Sequence, residues 1–280
     1  MKYYQPQSVN EAIEIAHSSQ GMFLAGGTDL VLQMQKRKIQ PKALIDLGRI
    51  PELRDIKETK EYIEIGSMAT FSDMGQNQLI AEKAASLWLA CQTMGSPQIR
   101  NQATIGGNLG NCSPAADGLP PLLALGAEAV LISGEGEKQM PLADLLEQTP
   151  LLSPGTLIVG FKIPKIYQLS GFAKLGRREA LAIARLSVAV ALELDGSKAG
   201  KVRVALGAVG RRAFLSDSLA QALSQREFNE SWLELGISQV QGVVRAALGD
   251  RASAPYKRVA VAGVFREAIA SLRQQGGLDK

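Results

Sequence analysis

Two glycine pairs constrain this chain more than any other feature. The first, in LAGGTDL (24–30), closes a short apolar run, and the second, in TIGGN (104–108), does the same further on. Adjacent glycines mark places where backbone turns sharply or comes very close to something. Each pair is either an ordinary turn or a run of exposed N–H groups that forms an anion-binding nest. Two nests, one of them opening the helix expected from Thr28–Asp29 into Leu30–Lys36, can grip a diphosphate. Thr28, Thr104 and Asn108 add neutral donors. No GxxxxGK[ST] phosphate loop and no GxGxxG fingerprint occurs, so backbone would meet the anion's charge. That arrangement suits a cofactor that is held and never hydrolysed.

Composition narrows the chemistry. With 280 residues, 46% of them hydrophobic, the chain can bury a sizeable core, and two domains are expected rather than one. No apolar run reaches the roughly 18 residues of a membrane span. The start, MKYYQPQSVNEAIEIA, lacks the apolar core of a signal peptide, so a cytoplasmic location is expected. The net charge of +4 is spread over short clusters, KRK (36–38) and GRR (176–178, 210–212), which read as solvated faces and not as a nucleic-acid surface. Two cysteines, Cys91 and Cys112, fit a reducing compartment, and no CxxC supplies a zinc or iron–sulfur ligand set. The single histidine, His17, reads as the tail residue of a surface helix. Reactivity is therefore expected to come from a cofactor.

Local signals order the rest. Ser8-Val9-Asn10-Glu11 reads as a capping box before the helix EAIEIAHSS. GMFLAGG reads as a short strand, TDLVLQMQKRK as a helix, and KALIDL (42–47) and EYIEIGSMAT (61–70) as strands. LIAEKAASLWLACQTM (79–94) has helical periodicity, with Cys91 a core residue or, less simply, a reactive thiol. Residues 95–118 read as a long functional loop, because they are rich in Gly, Asn, Ser and Pro yet carry Ile99, Ile105 and Leu109. LPPLLALGA then EAVLIS reads as helix then strand, SGEGEKQ as an exposed turn, and GTLIVGFKIP (155–164) as a strand. Beyond Pro164 three strand-like runs, with DGSKAG (195–200) as a hairpin turn, precede helices over 216–225, 229–247 and 255–273. Strands followed by helices suggest a separate α+β domain.

Three segments, FLAGGTDL, GSPQIRNQATIGGNLGNCSPAADGLPPLLALGAEAVL and LSPGTLIVGFKIP, closely resemble the FAD-binding subunit of molybdenum hydroxylases, the xanthine dehydrogenase and carbon monoxide dehydrogenase medium-chain family. GFAKLGRRE, VALGAVG and ASAPYKRVAVAGVFREAI resemble the same family's second domain. The resemblance covers nearly the whole chain. It implies an α+β fold: a two-subdomain FAD-binding module of the vanillyl-alcohol-oxidase (PCMH) type over 1–167, then a small α+β domain like the CO dehydrogenase flavoprotein C-terminal domain over 168–280.

By position in the family motifs, Phe23, Leu24, Ala25, Gly26, Gly27, Thr28, Asp29 and Leu30 would wrap the FAD diphosphate. Thr104, Ile105, Gly106, Gly107 and Asn108 would form a second clamp, and a β-branched residue at Gly107 is expected to block backbone approach and to suffer at positive φ. Asp117 falls on a flavin-contact position; a carboxylate beside a diphosphate is repelled, so it is aimed at ribityl hydroxyls or a ring N–H, or else caps the GLPPLLALG helix. Met94 and Ile158 would flank the isoalloxazine or adenine, or else pack in the core. Lys174 would lie at the flavin pyrimidine edge, or else be a solvated strand lysine. Ala180 and Leu181 depart from the family, which often has acidic residues there, near the flavin ring.

The resemblance implies noncovalent FAD. It also implies partners: a molybdopterin-binding catalytic subunit that oxidises substrate, and a [2Fe–2S] subunit that relays electrons to this chain for delivery to NAD⁺ or another acceptor. Two cysteines are too few for the extra [4Fe–4S] cluster of the hydroxybenzoyl-CoA reductase branch. Two rivals stand beside this reading: a self-contained FAD-dependent reductase of the UDP-N-acetylenolpyruvoylglucosamine reductase superfamily, and a scaffold that kept the fold and lost the flavin.

Overall fold

The computed structural model describes residues 1–167, 169–177 and 183–277. The chain divides into two compact units, each built from three stretches: Met1–Met74, Ser96–Cys112 and Ala127–Ile163 in one, Gly75–Gly95, Ser113–Gly126 and Pro164–Lys280 in the other.

The first unit holds two sheets. In the smaller, Ala43–Asp46 runs centrally and parallel to Lys2–Tyr4 and Met22–Leu24. The helix Val9–Ser19 makes the crossover between the outer strands. It starts where the capping box says it should: Ser8 Oγ accepts the Glu11 N–H at 3.2 Å. The Glu11 carboxylate reaches one residue further back than usual and accepts the Gln7 N–H at 2.8 Å. Ala12, Ile13 and Ala16 form its buried stripe against Ile45, Leu53 and Leu157. It stops at Gln20, which is left-handed at φ 51°. His17 does occupy the last turn, where its ring lies in the space a side chain at Gly134 would need. The larger sheet orders its strands Ile56–Glu58, Tyr62–Gly66, Leu157–Pro164, Glu128–Ser133, Gly136–Pro141. The last of these corrects the expectation of a bare turn at SGEGEKQ. Its exposed charges mark an edge strand, where they discourage pairing with other chains.

In the second unit Leu169–Leu175, Leu186–Asp195, Lys198–Gly207 and Phe214–Leu215 form an antiparallel meander. Asp195 pairs with Lys198 across a two-residue turn at Gly196-Ser197, with Gly196 at φ 61°, as the hairpin signal requires. Alternate residues Val188, Val190 and Leu192 join Val204 and Leu206 in one cluster with Trp232, Val240, Phe265 and Leu272 from the helices Glu230–Leu248 and Ala254–Gly276. Trp232 is 1% exposed, and its indole N–H reaches the Leu223 carbonyl at 2.8 Å, so burial leaves no unmet donor. Gly171 is where the last helix touches the sheet: an added Cβ would sit 2.1 Å from the Ala268 carbonyl oxygen. The helices Ala85–Thr93 and Leu119–Ala124 also pack on these strands. Ser170 Oγ, pointing opposite to its neighbours, accepts the Ser86 N–H at 3.0 Å.

Three expectations are corrected. The single helix over 79–94 is two, Gln78–Lys83 and Ala85–Thr93, separated at Ala84, whose φ is −140°. The strand over 61–70 ends at Gly66, where the backbone lies so close to the Leu53 carbonyl that an added Cβ would sit 2.3 Å from its oxygen. The long loop over 95–118 contains two short helices, Pro97–Arg100 and Ile105–Asn111.

Candidate functional site: a cofactor cradle

The two glycine pairs meet each other within the first unit. A Cβ on Gly26 would lie 1.8 Å from the Gln102 carbonyl oxygen and 3.1 Å from Ala103 Cα. A Cβ on Gly107 would lie 3.5 Å from that of Ala25. What comes close to the first pair is therefore the segment that carries the second. Gly106 in turn rests on Ser67, whose Cβ would be 2.5 Å from an added methyl.

The pairs differ in what their backbone offers. Among the described residues, the N–H groups of Gly26, Gly27, Thr28, Asp29 and Leu30 donate to no protein acceptor. Gly27 is left-handed at φ 70°, a conformation that turns successive N–H groups onto one concave side. The chain then enters the helix Leu30–Gln35, and Asp29 makes no side-chain cap bond to it. Five consecutive N–H groups without a protein acceptor, at the opening of a helix, form a cradle suited to an anion.

The second pair is no nest. Thr104 caps the helix Ile105–Asn111, its Oγ1 accepting the Gly107 N–H at 3.0 Å. The Ile105 N–H reaches the Ala69 carbonyl at 3.1 Å, that of Gly106 the Ser67 carbonyl at 2.8 Å, and that of Asn108 the Thr104 carbonyl at 2.9 Å. These four donors are spent within the protein. Gly107 lies inside the helix, outside the left-handed region, so the expected backbone strain at this position does not exist. What the second segment gives the first is a firm floor and side chains on a capped helix, with Gln33 Nε2 donating to Asn111 Oδ1 at 3.2 Å to tie the two helices together.

The remaining motif residues fall in different places. Phe23 and Ala25 are half-buried against the core of the first unit. Ile158 is 7% exposed and stands near Gly110, whose added Cβ would be 3.8 Å from its Cδ1. Met94, in the second unit, caps the helix Ala85–Thr93 and is half-buried. Asp117 and Lys174, also in the second unit, form a buried ion pair at 2.6 Å, with side chains 7% and 8% exposed. This rules out the solvated-lysine alternative. Nor does Asp117 cap the next helix: the N-cap of Leu119–Ala124 is Gly118, and no side-chain cap bond is made. Burial pushes the Asp117 carboxyl up from its usual range, and the Lys174 charge opposes this without overcoming it. Asp117 Oδ1 has no hydrogen-bond partner, so the carboxylate keeps one acceptor for a group that is not protein. Ala180 and Leu181 lie outside the described residues. Ser67 and Gln102, which back the glycines, carry no local sequence signal; only their proximity reveals them.

The family described as the FAD binding domain in molybdopterin dehydrogenase matches residues 1–166, more than half of the chain. This chain belongs to that family. The CO dehydrogenase flavoprotein C-terminal domain matches residues 171–272. The nicotinate dehydrogenase FAD-subunit of Eubacterium barkeri is 31% identical, over 98% of this chain and 96% of its own. The xanthine dehydrogenase FAD-binding subunit of Escherichia coli O157:H7 is 26% identical, over 83% of this chain and 82% of its own. Among solved structures, a carbon monoxide dehydrogenase from Hydrogenophaga pseudoflava superposes with a TM-score of 0.89 at 27% identity, covering 98% of both chains. The protein is thus an FAD-binding member of the medium-subunit family of molybdenum hydroxylases, an oxidoreductase family. The N–H groups of residues 26–30, which no protein acceptor takes, are chemically suited to an anion such as a diphosphate, whereas those of residues 105–108 are already bonded within the protein. Among the described residues, no helix is long and apolar enough to cross a membrane.

Proposed function

We propose that this chain is the flavin-bearing electron-transfer subunit of a multi-subunit molybdenum hydroxylase. It takes electrons from a [2Fe–2S] subunit and passes them to NAD⁺ or another acceptor, while a molybdopterin-binding subunit oxidises the substrate. The observation that carries this reading is the five-amide cradle on a chain of this family. FAD, when bound, supplies the exchange between one-electron carriers and a two-electron acceptor. The chain's own residues hold it. The N–H groups of Gly26 to Leu30 take the diphosphate, and Gly26 keeps that loop seated on the Gln102 carbonyl. Thr104 fixes the helix from which Asn108 projects. Met94 and Ile158 would offer apolar contacts to the rings. Asp117 and Lys174 belong to the flavin site on the strength of the family motif, and the free Asp117 oxygen suits a donor such as a ring N–H. Noncovalent retention is the reading: His17, the only histidine, lies outside both glycine segments, and Cys112, though within the second motif, falls at a variable position of the family pattern.

Substrate choice lies with another chain, and the relatives' names already span nicotinate, xanthine and carbon monoxide. The test is the purified chain alone. It should be yellow, be slowly reduced by NADH with an artificial dye as final acceptor, and hydroxylate no purine, aldehyde or carbon monoxide. Those activities should appear only with an iron–sulfur chain and a molybdopterin chain present. Bleaching of the flavin by a purine without partners would overturn the reading in favour of a stand-alone reductase, and a colourless protein that takes up no FAD would leave a scaffold.

A further inference from the structure

Ala208, just past the strand Lys198–Gly207, has a left-handed backbone at φ 59° although it is not glycine. A residue keeps that conformation only where its surroundings force it, and such residues gather at functional sites. Two bonds hold Ala208. Its N–H reaches the Pro114 carbonyl at 2.7 Å, and its own carbonyl accepts a bond from Lys257 Nζ at 2.5 Å.

Lys257 stands there against its own electrostatics. It lies near the N-terminal, positive end of the helix Ala254–Gly276. Burial, and then the charges of Arg185 and Arg251, hold its ammonium below the ordinary lysine value. Among the described residues, no carboxylate lies within salt-bridge distance of it. What the ammonium meets instead is the Ala208 carbonyl.

The far end of this chain of bonds is the segment that carries Asp117. Residues 113–116 close a turn, with the Ala115 N–H on Ser113 Oγ at 3.3 Å and the Ala116 N–H on the Ser113 carbonyl at 3.0 Å. Asp117 follows directly and meets Lys174. Lys174, Ser187 and Gly207 stand side by side across three neighbouring strands. A Cβ on Gly207 would lie 2.8 Å from Pro120 Cγ. The segment is therefore strapped over one end of the sheet at Pro114, Asp117 and Pro120, all within the second unit. The strap at Pro114 hangs on Ala208, and Ala208 on Lys257.

We propose that Lys257 is a positioning residue for the flavin site: by pinning Ala208 it fixes the turn that presents Asp117 to the flavin, an inference that rests on the function proposed above. A lysine suits the task because a bond from an ammonium to a carbonyl is charge-assisted and stronger than a neutral one. Without it Ala208 would relax out of the left-handed region and turn its N–H away from Pro114. The effect on FAD passes through the backbone of residues 113–117.

The experiment is a double-mutant cycle on the purified chain. Lys257→Met, Asp117→Asn and the two together are compared with wild type. The readouts are the FAD dissociation constant from flavin fluorescence, the visible flavin spectrum, and the Tm of the flavin-free chain. Lys257→Met should weaken FAD about fivefold in the otherwise wild-type chain, as expected for one lost hydrogen bond. With Asn already at 117 the same change should cost less than about twofold, because residues acting through one network are not additive. Lys257→Arg restores a charged donor and should bind FAD within about twofold of wild type. Ala208→Gly added to Lys257→Met should restore the Tm without restoring the affinity, because glycine permits the left-handed turn but does not hold it. That variant also keeps the test open should Lys257→Met alone fold poorly. An unchanged affinity in Lys257→Met would overturn the proposal, as would an equal loss in both backgrounds, or a recovery of Tm and affinity together. Asp117→Asn with wild-type affinity and spectrum would also overturn it, leaving Lys257 nothing to position. A wild-type chain that takes up no FAD would instead defeat the proposed function itself, and this positioning role with it.

Discussion

Substituting alanine at Gly26 tests the cradle at its narrowest point. The added methyl would start 1.8 Å from the Gln102 carbonyl oxygen and 2.6 Å from its carbonyl carbon, whereas real contacts essentially never fall below 3.0 Å. Both obstacles are backbone, so no side chain can swing away, and the loop must retreat by about 1.2 Å. Overpacking of this kind costs about 1–3 kcal/mol of stability, and more where the backbone is held. The effect on cofactor should be larger. The five N–H groups of Gly26 to Leu30 move with the loop, and hydrogen bonds to a charged group contribute about 1.5–3 kcal/mol each. Misaligning two of them weakens FAD binding by roughly 3–6 kcal/mol, or about two to four orders of magnitude. The assay is flavin retained after desalting, with a dissociation constant from flavin fluorescence and a Tm on the flavin-free chain. The control is Gly107→Ala. Its new methyl would sit 3.0 Å from Thr104 Oγ1 and 3.5 Å from Ala25 Cβ, and a glycine-to-alanine change inside a helix favours the helix by roughly 0.5–1 kcal/mol. It should bind FAD within a few-fold of wild type. If Gly26→Ala retains FAD as tightly as Gly107→Ala does, the cradle is not where the diphosphate sits.

Other outcomes follow from the second unit and from the cofactor's attachment. Gly171→Ala drives a methyl to within 2.1 Å of the Ala268 carbonyl oxygen and 2.9 Å of Leu272 Cβ, and should destabilise the chain by roughly 2–3 kcal/mol in denaturant unfolding; an unchanged midpoint would mean that the last helix is not seated there. Lys174→Met strips Asp117 of its cation and should cost about 3 kcal/mol or more, whereas Lys174→Met/Asp117→Asn should recover part of that loss. Because burial raises the Asp117 pKa, the native state holds that proton more tightly than the unfolded chain, so this group favours folding increasingly as pH falls from the raised value toward the ordinary carboxylate range. Wild type should therefore gain on Asp117→Asn as pH is lowered toward the ordinary carboxylate range, and a Tm difference between the two that does not vary with pH would refute the sign. Acid precipitation of the holoprotein should release all its flavin to the supernatant, and a yellow pellet would show a covalent link.

Much of the architecture was legible because local chemistry agreed with it. Ser8 and Glu11 announce a helix start, Asp195-Gly196-Ser197-Lys198 a hairpin, and the period of Trp232, Leu233, Ile237, Val240 and Val244 a helix with one buried face. The cradle was legible in its first half, since Gly26 and Gly27 close a strand and open a helix. The second half misled, because two adjacent glycines are poor helix formers. That helix stands on long-range bonds, from Ile105 to Ala69 and from Gly106 to Ser67, which no window of sequence contains. The break at Ala84 and the strand Gly136–Pro141 escaped for a related reason: alanine carries no stop signal, and an edge strand is defined by its neighbour and not by its own apolar pattern. The unpaired oxygen of Asp117 was invisible, because a lack of partners exists only in three dimensions.

The interleaving of the two units has a consequence for synthesis. Everything the first unit needs has been made once Ile163 is added, but the helices Ala85–Thr93 and Leu119–Ala124 belong to the second. Leu87 and Leu122, fully buried in the finished molecule, must wait for strands that end only at Gly207. At ribosomal speeds of about 5–20 residues per second, that leaves the later of these apolar helices uncovered for roughly 4–17 s and the earlier for roughly 6–23 s on every nascent chain. Such a chain is a natural client for a holding chaperone. A polypeptide cut after Pro164 would keep those faces uncovered permanently and should be sticky rather than a smaller working flavoprotein.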